Sequence, residues 1–233
     1  MMNIAPGAAL LFDIDGTLVD TDRLHLQAFN DVFAPFGHRF DAARFRAELQ
    51  GFSIASIIDS FFSAETAERG REIMDEKEAA FRKLAQAGLE PLPGLIALLD
   101  LADGAALPVA AVTNAPRANA EMLLGGLGMR RRFKAVVLGD ELEHGKPHPM
   151  PYLEGLRALG ARADRSVAFE DSASGVASAS AAGIATVGIM TSLTDRELRA
   201  AGAHTTATDY RDPRLLAFVV AVVAGSGVGA NRP

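Results

Sequence analysis

Short apolar runs that recur along the chain constrain its fold more than any other feature. Five of them have the length of strands and end in polar or small residues, at positions 8–12, 107–112, 135–138, 167–169 and 185–189. Because these runs are continuous rather than alternating, they are typical of strands buried on both faces of a parallel sheet. Stretches with helical patterning lie among them, at 94–102, 117–127, 149–159 and 174–182. This alternation predicts a doubly wound α/β core.

The segment between the first two predicted strands does not fit this alternation. It spans more than 80 residues, whereas a crossover between parallel strands needs only one helix. Four helix-like stretches fall within it, at 22–36, 41–49, 53–62 and 64–87. The sequence GLEPLPG at 88–94 predicts a linker, because its two prolines and two glycines are unfavourable inside a helix. We therefore expect residues 20–90 to form an all-helical domain inserted into an α/β core of residues 1–19 and 91–233.

The composition narrows both the chemistry and the partners. The 233 residues include no cysteine, which excludes a disulfide framework, an iron–sulfur cluster, a thiol nucleophile and a cysteine-based zinc site. A net charge of −6 argues against nucleic acid as a partner. The first residues lack the basic region of a signal peptide, and the apolar stretch 215–224 is shorter than the about 20 residues of a membrane helix. We expect a soluble cytoplasmic protein without a membrane partner.

Two aspartates follow the first predicted strand, at the edge of the sheet where α/β proteins bind ligands. Asp13 and Asp15 are two positions apart, so in extended backbone their carboxylates point the same way. Two like charges in one place are unfavourable unless a cation lies between them or one of them is protonated. Taken alone, an ordinary aspartate-rich turn explains the same residues.

Polar side chains also follow the second, third and fourth predicted strands. Thr113 and Asn114 suit an anionic oxygen, and Lys146 lies in the stiff, proline-flanked sequence GKPHP. Glu170 and Asp171 are adjacent carboxylates that suit a hard cation such as Mg²⁺. Each has an ordinary alternative, namely a helix cap, a surface lysine and an acidic helix start. Together they predict one site at the carboxyl ends of four strands.

The ordered set DIDGT, VTN, GKPHP and FEDSASG resembles the four motifs of the haloacid dehalogenase superfamily of phosphohydrolases. The resemblance covers the whole chain, and within the superfamily LVDTDRLHLQAFN and the Glu170–Asp171 pair resemble the phosphoglycolate phosphatase/β-phosphoglucomutase branch. It implies a Rossmann-like core with a helical cap. It also implies that Asp13 attacks phosphorus to form an aspartyl-phosphate and that Asp15 is the general acid and base. The implied Mg²⁺ ligands are Asp13, the main-chain carbonyl of Asp15 and Asp171, with Glu170 either a further ligand or a residue next to them, and the implied phosphoryl-binding residues are Thr113, Asn114 and Lys146.

The resemblance also implies that the cap sets substrate specificity by closing over the site. Asp20, His25 and Lys77 match positions of the hinge and cap, although a structural role for His25 and a solvated helix face for Lys77 are alternatives. Ile54 stands where the mutase pattern has an arginine that binds a second phosphate.

We therefore expect a Mg²⁺-dependent phosphatase for a small phosphorylated metabolite, such as a sugar phosphate or phosphoglycolate. A second carboxyl at Asp15, together with the Glu170–Asp171 pair, favours phosphoryl transfer over dehalogenation. The alternatives are a phosphomutase and a non-catalytic binding protein on the same fold. A monomer and a small homo-oligomer fit the sequence equally well.

Overall fold

The computed structural model describes residues 4–52 and 54–225 of the chain. The chain divides into two compact units, an α/β unit formed by Met1–Asp20 with Glu90–Pro233 and a helical unit formed by Thr21–Leu89. The structure confirms the predicted fold class, a doubly wound α/β core together with an all-helical insertion.

A parallel sheet of six described strands forms the α/β unit, in the order β3-β2-β1-β4-β5-β6. The strands are β1 (Ala9–Phe12), β2 (Val109–Thr113), β3 (Ala135–Leu138), β4 (Ser166–Glu170), β5 (Ala185–Ile189) and β6 (Thr205–Ala207). Strand β1 is central, with Leu10 opposite Val109 on one side and opposite Val167 on the other. The chain order reverses on either side of β1, which is the position where α/β sheets bind their ligands.

Ten α-helices accompany this sheet in the described part of the chain. The helical unit contains α1 (Asp22–Phe33), α2 (Ala42–Glu48), α3 (Ile54–Phe61) and α4 (Ala67–Ala85). The α/β unit contains α5 (Leu95–Gly104), α6 (Arg117–Gly126), α7 (Met150–Leu159), α8 (Ala173–Ala181), α9 (Asp195–Ala200) and α10 (Pro213–Val223). None of these helices combines the length and the apolar character that crossing a membrane requires.

Burial on both faces of the sheet explains why its strands consist of continuous apolar residues. On one face, Leu11 packs in a cluster with Tyr152 and Leu156 of α7. Elsewhere in the core, the rings of Phe12 and Phe169 are stacked with their centroids 4.4 Å apart. Each fully buried side chain of this size contributes about 1.5–3 kcal/mol, so the central strands and the loops that follow them are firmly held.

The helical unit has its own core, built from aromatic side chains. Phe33 is fully buried, and its ring meets that of Phe62 edge to face at 4.7 Å. The other buried members of this cluster are Phe29, Phe40, Phe45, Leu49, Ile57, Ile73 and Met74. Edge-to-face pairs of this kind contribute about 0.5–1.5 kcal/mol beyond the burial of their area. The unit therefore has a separate hydrophobic core of its own.

Two details differ from the sequence-based expectations, and a third expectation is not covered by the structure. The predicted helix 22–36 ends at Phe33 and continues as a 3₁₀ turn, because Pro35 cannot supply the N–H that an α-helix needs there. Strand β6 and helix α9 were not predicted, since β6 has three residues of which two are threonines. Ser53, the expected first residue of α3, lies outside the described residues.

Candidate active site

The turn after β1 places the two aspartates of the first motif. Asp13 is buried, and its backbone N–H donates to the carbonyl of Phe169 in β4 at 3.0 Å. Asp15 is half-buried and lies in a tight turn that closes through a hydrogen bond from the Gly16 N–H to the Val19 carbonyl at 2.8 Å. Gly16 has a φ of +69°, which a residue with a Cβ adopts only with strain.

Lys146 is the centre of the site. Its ammonium lies 2.6 Å from Asp13 Oδ1 and 2.5 Å from Glu170 Oε1, and it donates to the carbonyl of Val112 at 2.7 Å. An ammonium has three donors, and these three oxygens account for all of them. The hydroxyl of Tyr152 donates to the same Glu170 oxygen at 2.9 Å. The lysine predicted from the GKPHP sequence is therefore a fixed, buried positive charge between two carboxylates.

The electrostatics of the site show an excess of negative charge. The pKa of Asp13 is raised to about 7, chiefly because the group is buried and also because of the charges of Glu170 and Asp15, although the charge and the hydrogen bond of Lys146 act in the opposite direction. Burial lowers the pKa of Lys146, but the charges of Asp13 and Glu170 outweigh that effect and hold this pKa above its ordinary value. One lysine therefore does not compensate the carboxylates that converge here.

A divalent cation fits this excess charge. Within the described residues, Asp13, Glu170 and Asp171 form a group that can hold a metal, with one oxygen from each lying within 4.8 Å of the others. Carboxylate oxygens are the donors that hard cations such as Mg²⁺ prefer. The backbone of Gly16 lies so close to Asp171 that an added Cβ would overlap its carboxylate. The donor set and the close packing around it therefore suit a small hard cation.

Glu170 has a second role beside the metal group. It is fully buried, and its Oε1 accepts from both Lys146 and Tyr152. Its Oε2 accepts from the Ser172 hydroxyl at 3.1 Å. An added Cβ at Gly175 would overlap the same carboxylate, so the backbone of Gly175 also packs closely against Glu170. These contacts together restrict the movement of the Glu170 side chain. Such confinement fixes the position of Lys146 as well.

Thr113 and Asn114 lie at the end of β2, beside this cluster. Thr113 is buried, and its Oγ1 accepts from the backbone N–H of Ala115 at 3.0 Å. The Asn114 side chain pairs with the backbone of Lys146, accepting from its N–H at 3.0 Å and donating to its carbonyl at 3.2 Å. The amide of Asn114 therefore holds the loop that carries Lys146, a contact that the sequence did not indicate.

The site also contains side chains that sequence reasoning missed. Ser192 donates to Asp171 Oδ2 at 2.5 Å, and Thr191 donates to the Gly16 carbonyl at 2.6 Å. Both follow β5, so their position at the carboxyl end of a fifth strand was the signal that could have identified them. Tyr152 carried no comparable signal, because nothing in the sequence of α7 distinguishes it from a core tyrosine.

The predicted cap residues fall in the helical unit, apart from Asp20, which is exposed at the end of the first α/β segment. The ammonium of Lys77 lies 2.9 Å from His25 Nδ1 and 2.8 Å from Glu78 Oε1. The ring of His25 is stacked on that of Phe81 with centroids 3.8 Å apart. Lys77 is only 3% exposed, so the alternative that placed it on a solvated helix face is wrong.

The comparison with protein families shows to which class of protein this chain belongs. The sequence model of the haloacid dehalogenase-like hydrolases matches residues 10–189, a range that includes every residue of the cluster around Lys146. The chain therefore belongs to the haloacid dehalogenase-like hydrolases. This result confirms the resemblance drawn from the four motifs.

Individual relatives narrow the class to phosphatases. The chain is 33% identical over 185 residues to the fructose-1-phosphate phosphatase YqaB of Escherichia coli (strain K12), an alignment that covers 78% of this chain and 96% of that protein. It is 31% identical over 203 residues to a phosphorylated carbohydrates phosphatase of Thermotoga maritima, covering 84% of this chain and 91% of that protein. The chain is a phosphoric monoester hydrolase of this family.

A solved structure with a bound sugar phosphate is also similar. It is the CbbY protein of Rhodobacter sphaeroides in complex with xylulose-(1,5)bisphosphate, which superposes with a TM-score of 0.78 at 28% sequence identity. The match covers 88% of this chain and 95% of that chain. The similarity therefore extends over both units of the chain, including the helical one.

Proposed function

We propose that this protein is a Mg²⁺-dependent phosphatase that hydrolyses a small sugar phosphate through a phosphorylated Asp13. The observation that carries the proposal is the position of the Asp13 carboxylate, which is bound to Lys146 and grouped with Glu170 and Asp171. The names of two similar proteins, a fructose-1-phosphate phosphatase and a phosphorylated carbohydrates phosphatase, support a sugar phosphate as the substrate class.

In the first proposed step, Asp13 is the nucleophile. Lys146 holds one oxygen of its carboxylate, so the other oxygen is presented to the phosphorus of the substrate. The Asp13 oxygen forms a bond to phosphorus while the ester P–O bond breaks, and Asp15 gives its proton to the departing alkoxide. The products of this step are the free sugar and an acyl phosphate on Asp13.

In the second step, Asp15 acts in the opposite direction. It takes a proton from a water molecule, and the water oxygen attacks the phosphorus of the acyl phosphate, which releases inorganic phosphate and restores Asp13. Thr113, the backbone N–H of Asn114 and Lys146 are the proposed partners of the phosphoryl oxygens. Mg²⁺, held by Asp13, Asp171, Glu170 and the main-chain carbonyl of Asp15, would supply positive charge next to the transferred phosphoryl group.

Hydrolysis is favoured over mutase chemistry by Ile54, which begins α3 in the helical unit and is 36% exposed. A mutase must bind a second phosphate, and an apolar side chain offers that group neither charge nor hydrogen bonds. We propose that the helical unit is the cap that selects the substrate and that His25 and Lys77 belong to its substrate-selecting part. A cytoplasmic location stays a prediction.

A screen of phosphorylated metabolites tests the proposal. The purified protein is incubated with Mg²⁺ and sugar phosphates or 2-phosphoglycolate, and the release of inorganic phosphate is measured. We expect release with at least one sugar phosphate, loss of release in EDTA, and no release by Asp13→Asn. Interconversion of sugar phosphates without phosphate release would identify a mutase instead, and wild-type activity no higher than that of Asp13→Asn would refute both enzymes.

A further inference from the structure

The loop that follows β5 contacts two separate segments of the active site. Thr191 Oγ1 donates to the carbonyl of Gly16, in the turn after β1, at 2.6 Å. Its neighbour Ser192 donates to Asp171 Oδ2, after β4, at 2.5 Å. Ser192 and Asp171 are both buried, at 9% and 6% exposed. Two consecutive hydroxyls of one loop therefore hold the first and the fourth motif.

The Ser192 hydroxyl and the Gly16 backbone both lie close to the same oxygen atom of Asp171. The Ser192 hydroxyl donates to Asp171 Oδ2, and a Cβ added at Gly16 would overlap that same oxygen. Asp171 Oδ2 is therefore close to both the Ser192 hydroxyl and the Gly16 backbone, and Thr191 donates a hydrogen bond to the carbonyl of Gly16. Both the rotation and the lateral position of the Asp171 carboxylate are restricted by this packing.

The helix that comes after this loop is capped by a residue other than Ser192. The N-cap of α9 is Thr194, whose hydroxyl accepts from the backbone N–H of Glu197, and the Glu197 side chain returns a bond to the N-cap backbone. Thr194 fulfils that function two residues further on, and the Ser192 hydroxyl donates to Asp171 instead. The same loop thus provides one hydroxyl for a helix and another for the site.

We propose that Ser192 is a positioning residue for the divalent cation, acting through Asp171; this inference rests on the proposed function. A ligating carboxylate that is already oriented by a hydrogen bond loses less side-chain freedom when it binds a cation. Removal of the hydroxyl leaves Asp171 with more orientations to give up on binding. Partners of metal ligands typically change metal affinity by about 10- to 100-fold when they are removed.

The test measures Mg²⁺ binding to the full-length protein directly, by titration calorimetry without substrate. We expect Ser192→Ala to weaken Mg²⁺ binding by about 10- to 100-fold. Thr194→Ala is the matched control, because it removes a hydroxyl from the same loop that does not contact Asp171, and we expect its Mg²⁺ affinity to equal that of the wild type. In activity assays, Ser192→Ala should need more Mg²⁺ for half-maximal rate but reach a rate close to the wild-type value at saturating Mg²⁺.

Two further variants keep the test decisive if Ser192→Ala does not fold. Ser192→Thr keeps a hydroxyl and should bind Mg²⁺ like the wild type, whereas Ser192→Cys keeps the size but is a poor donor and should bind more weakly. Wild-type affinity in the variants without the hydroxyl, or equal weakening by Thr194→Ala, would overturn the inference. Either result leaves the proposed function standing, since that function is tested by phosphate release from the wild-type protein.

Discussion

Each unit of the molecule contains a buried lysine, and the two lysines have very different surroundings. The side chain of Lys146 is 3% exposed and lies within hydrogen-bond distance of two carboxylates, Asp13 and Glu170. The side chain of Lys77 is 4% exposed, and its ammonium lies within hydrogen-bond distance of the Glu78 carboxylate and the His25 imidazole and 4.3 Å from the centre of the Phe29 ring. Burial of a lysine is therefore common to both units, but surplus negative charge occurs around Lys146.

The two lysines also differ in where their partners lie in the sequence. Lys146 and Asp13 are 133 positions apart in the sequence, and Lys146 and Glu170 are 24 apart, so the sheet topology is what brings them together. Lys77 pairs with its immediate neighbour and with a histidine from α1. A cluster with more carboxylates than cations needs a further positive charge, whereas the rings of Phe29 and Phe81 beside Lys77 add no negative charge. The charge balance around a buried lysine, rather than its burial, therefore indicates a candidate cation site.

The strongest test of this contrast is Asp13→Asn. An amide is not a nucleophile toward phosphorus, so we expect a loss of phosphatase activity on the order of 10⁴-fold or more. The control is Asp75→Asn, the same substitution at an exposed position of α4 in the helical unit, which should retain full activity. Steady-state phosphate release with a generic aryl phosphate measures both variants. Activity of Asp13→Asn within tenfold of wild type would remove Asp13 as the nucleophile.

The second test replaces each buried lysine by methionine, which keeps the length and removes the charge. Lys146→Met leaves Asp13 and Glu170 without their shared partner, and an uncompensated buried charge costs about 3–5 kcal/mol of unfolding free energy. Lys77→Met removes one partner of Glu78, whose side chain is 11% exposed and has a further interaction, and we expect the free energy of unfolding to change by less than about 2 kcal/mol. Urea unfolding followed by circular dichroism measures both variants. Equal losses in the two variants would contradict the proposed difference in charge balance.

Much of the fold and the centre of the site could be predicted, because both depend on local patterns. The continuous apolar runs identified β1 to β5, the polar residues that end those runs identified Asp13 and Asp171, and the GKPHP sequence identified Lys146. By contrast, β6 has too few apolar residues to show a pattern, and Ser192 is an ordinary loop hydroxyl until the sheet brings it to Asp171. The part of the site that the sequence did not indicate depends on contacts between residues that are far apart in the sequence.

The burial of Lys77 agrees with the helical spacing of its apolar neighbours, although its charge favours an exposed position. It lies three and four residues after Met74 and Ile73 and four before Phe81, all of which are buried on one face of α4. Helical spacing therefore placed Lys77 on the apolar face. The charged neighbours in the sequence EKE favoured a solvated position, and the structure shows that the spacing was the better guide.

Two glycines in helices provide a smaller test of how rigid each unit is. A Cβ at Gly175 of α8 would overlap the Glu170 carboxylate, which Lys146, Tyr152 and Ser172 hold in place. We expect Gly175→Ala to cost about 1–3 kcal/mol of unfolding free energy and to reduce activity at least about tenfold, because Glu170 must shift.

The matched substitution in the helical unit is Gly70→Ala. There a Cβ would lie 2.5 Å from Cγ2 of Ile58, a methyl group on a stiff β-branched side chain, so the helix or the rotamer must shift at a cost of about 1–3 kcal/mol. Because alanine is about 0.5–1 kcal/mol more favourable than glycine inside a helix, we expect a net loss of up to about 2 kcal/mol and unchanged activity with an aryl phosphate. Thermal unfolding and phosphate release measure the pair. A larger loss of activity in Gly70→Ala than in Gly175→Ala would reverse this ranking.

The smallest expected effects come from the helix caps, where the two units should behave alike. Thr66 caps α4 in the helical unit by accepting from the Arg69 N–H at 3.2 Å, and Thr194 caps α9 in the α/β unit by accepting from the Glu197 N–H at 3.4 Å. Loss of either hydroxyl leaves one N–H of a first turn to water, so Thr66→Ala and Thr194→Ala should each cost about 1 kcal/mol. Hydrogen exchange should quicken in the first turn of the affected helix, with kcat unchanged. A loss of activity in either variant would show that the capped end of that helix contributes to catalysis. The two units would then differ in more than the charge balance around their buried lysines.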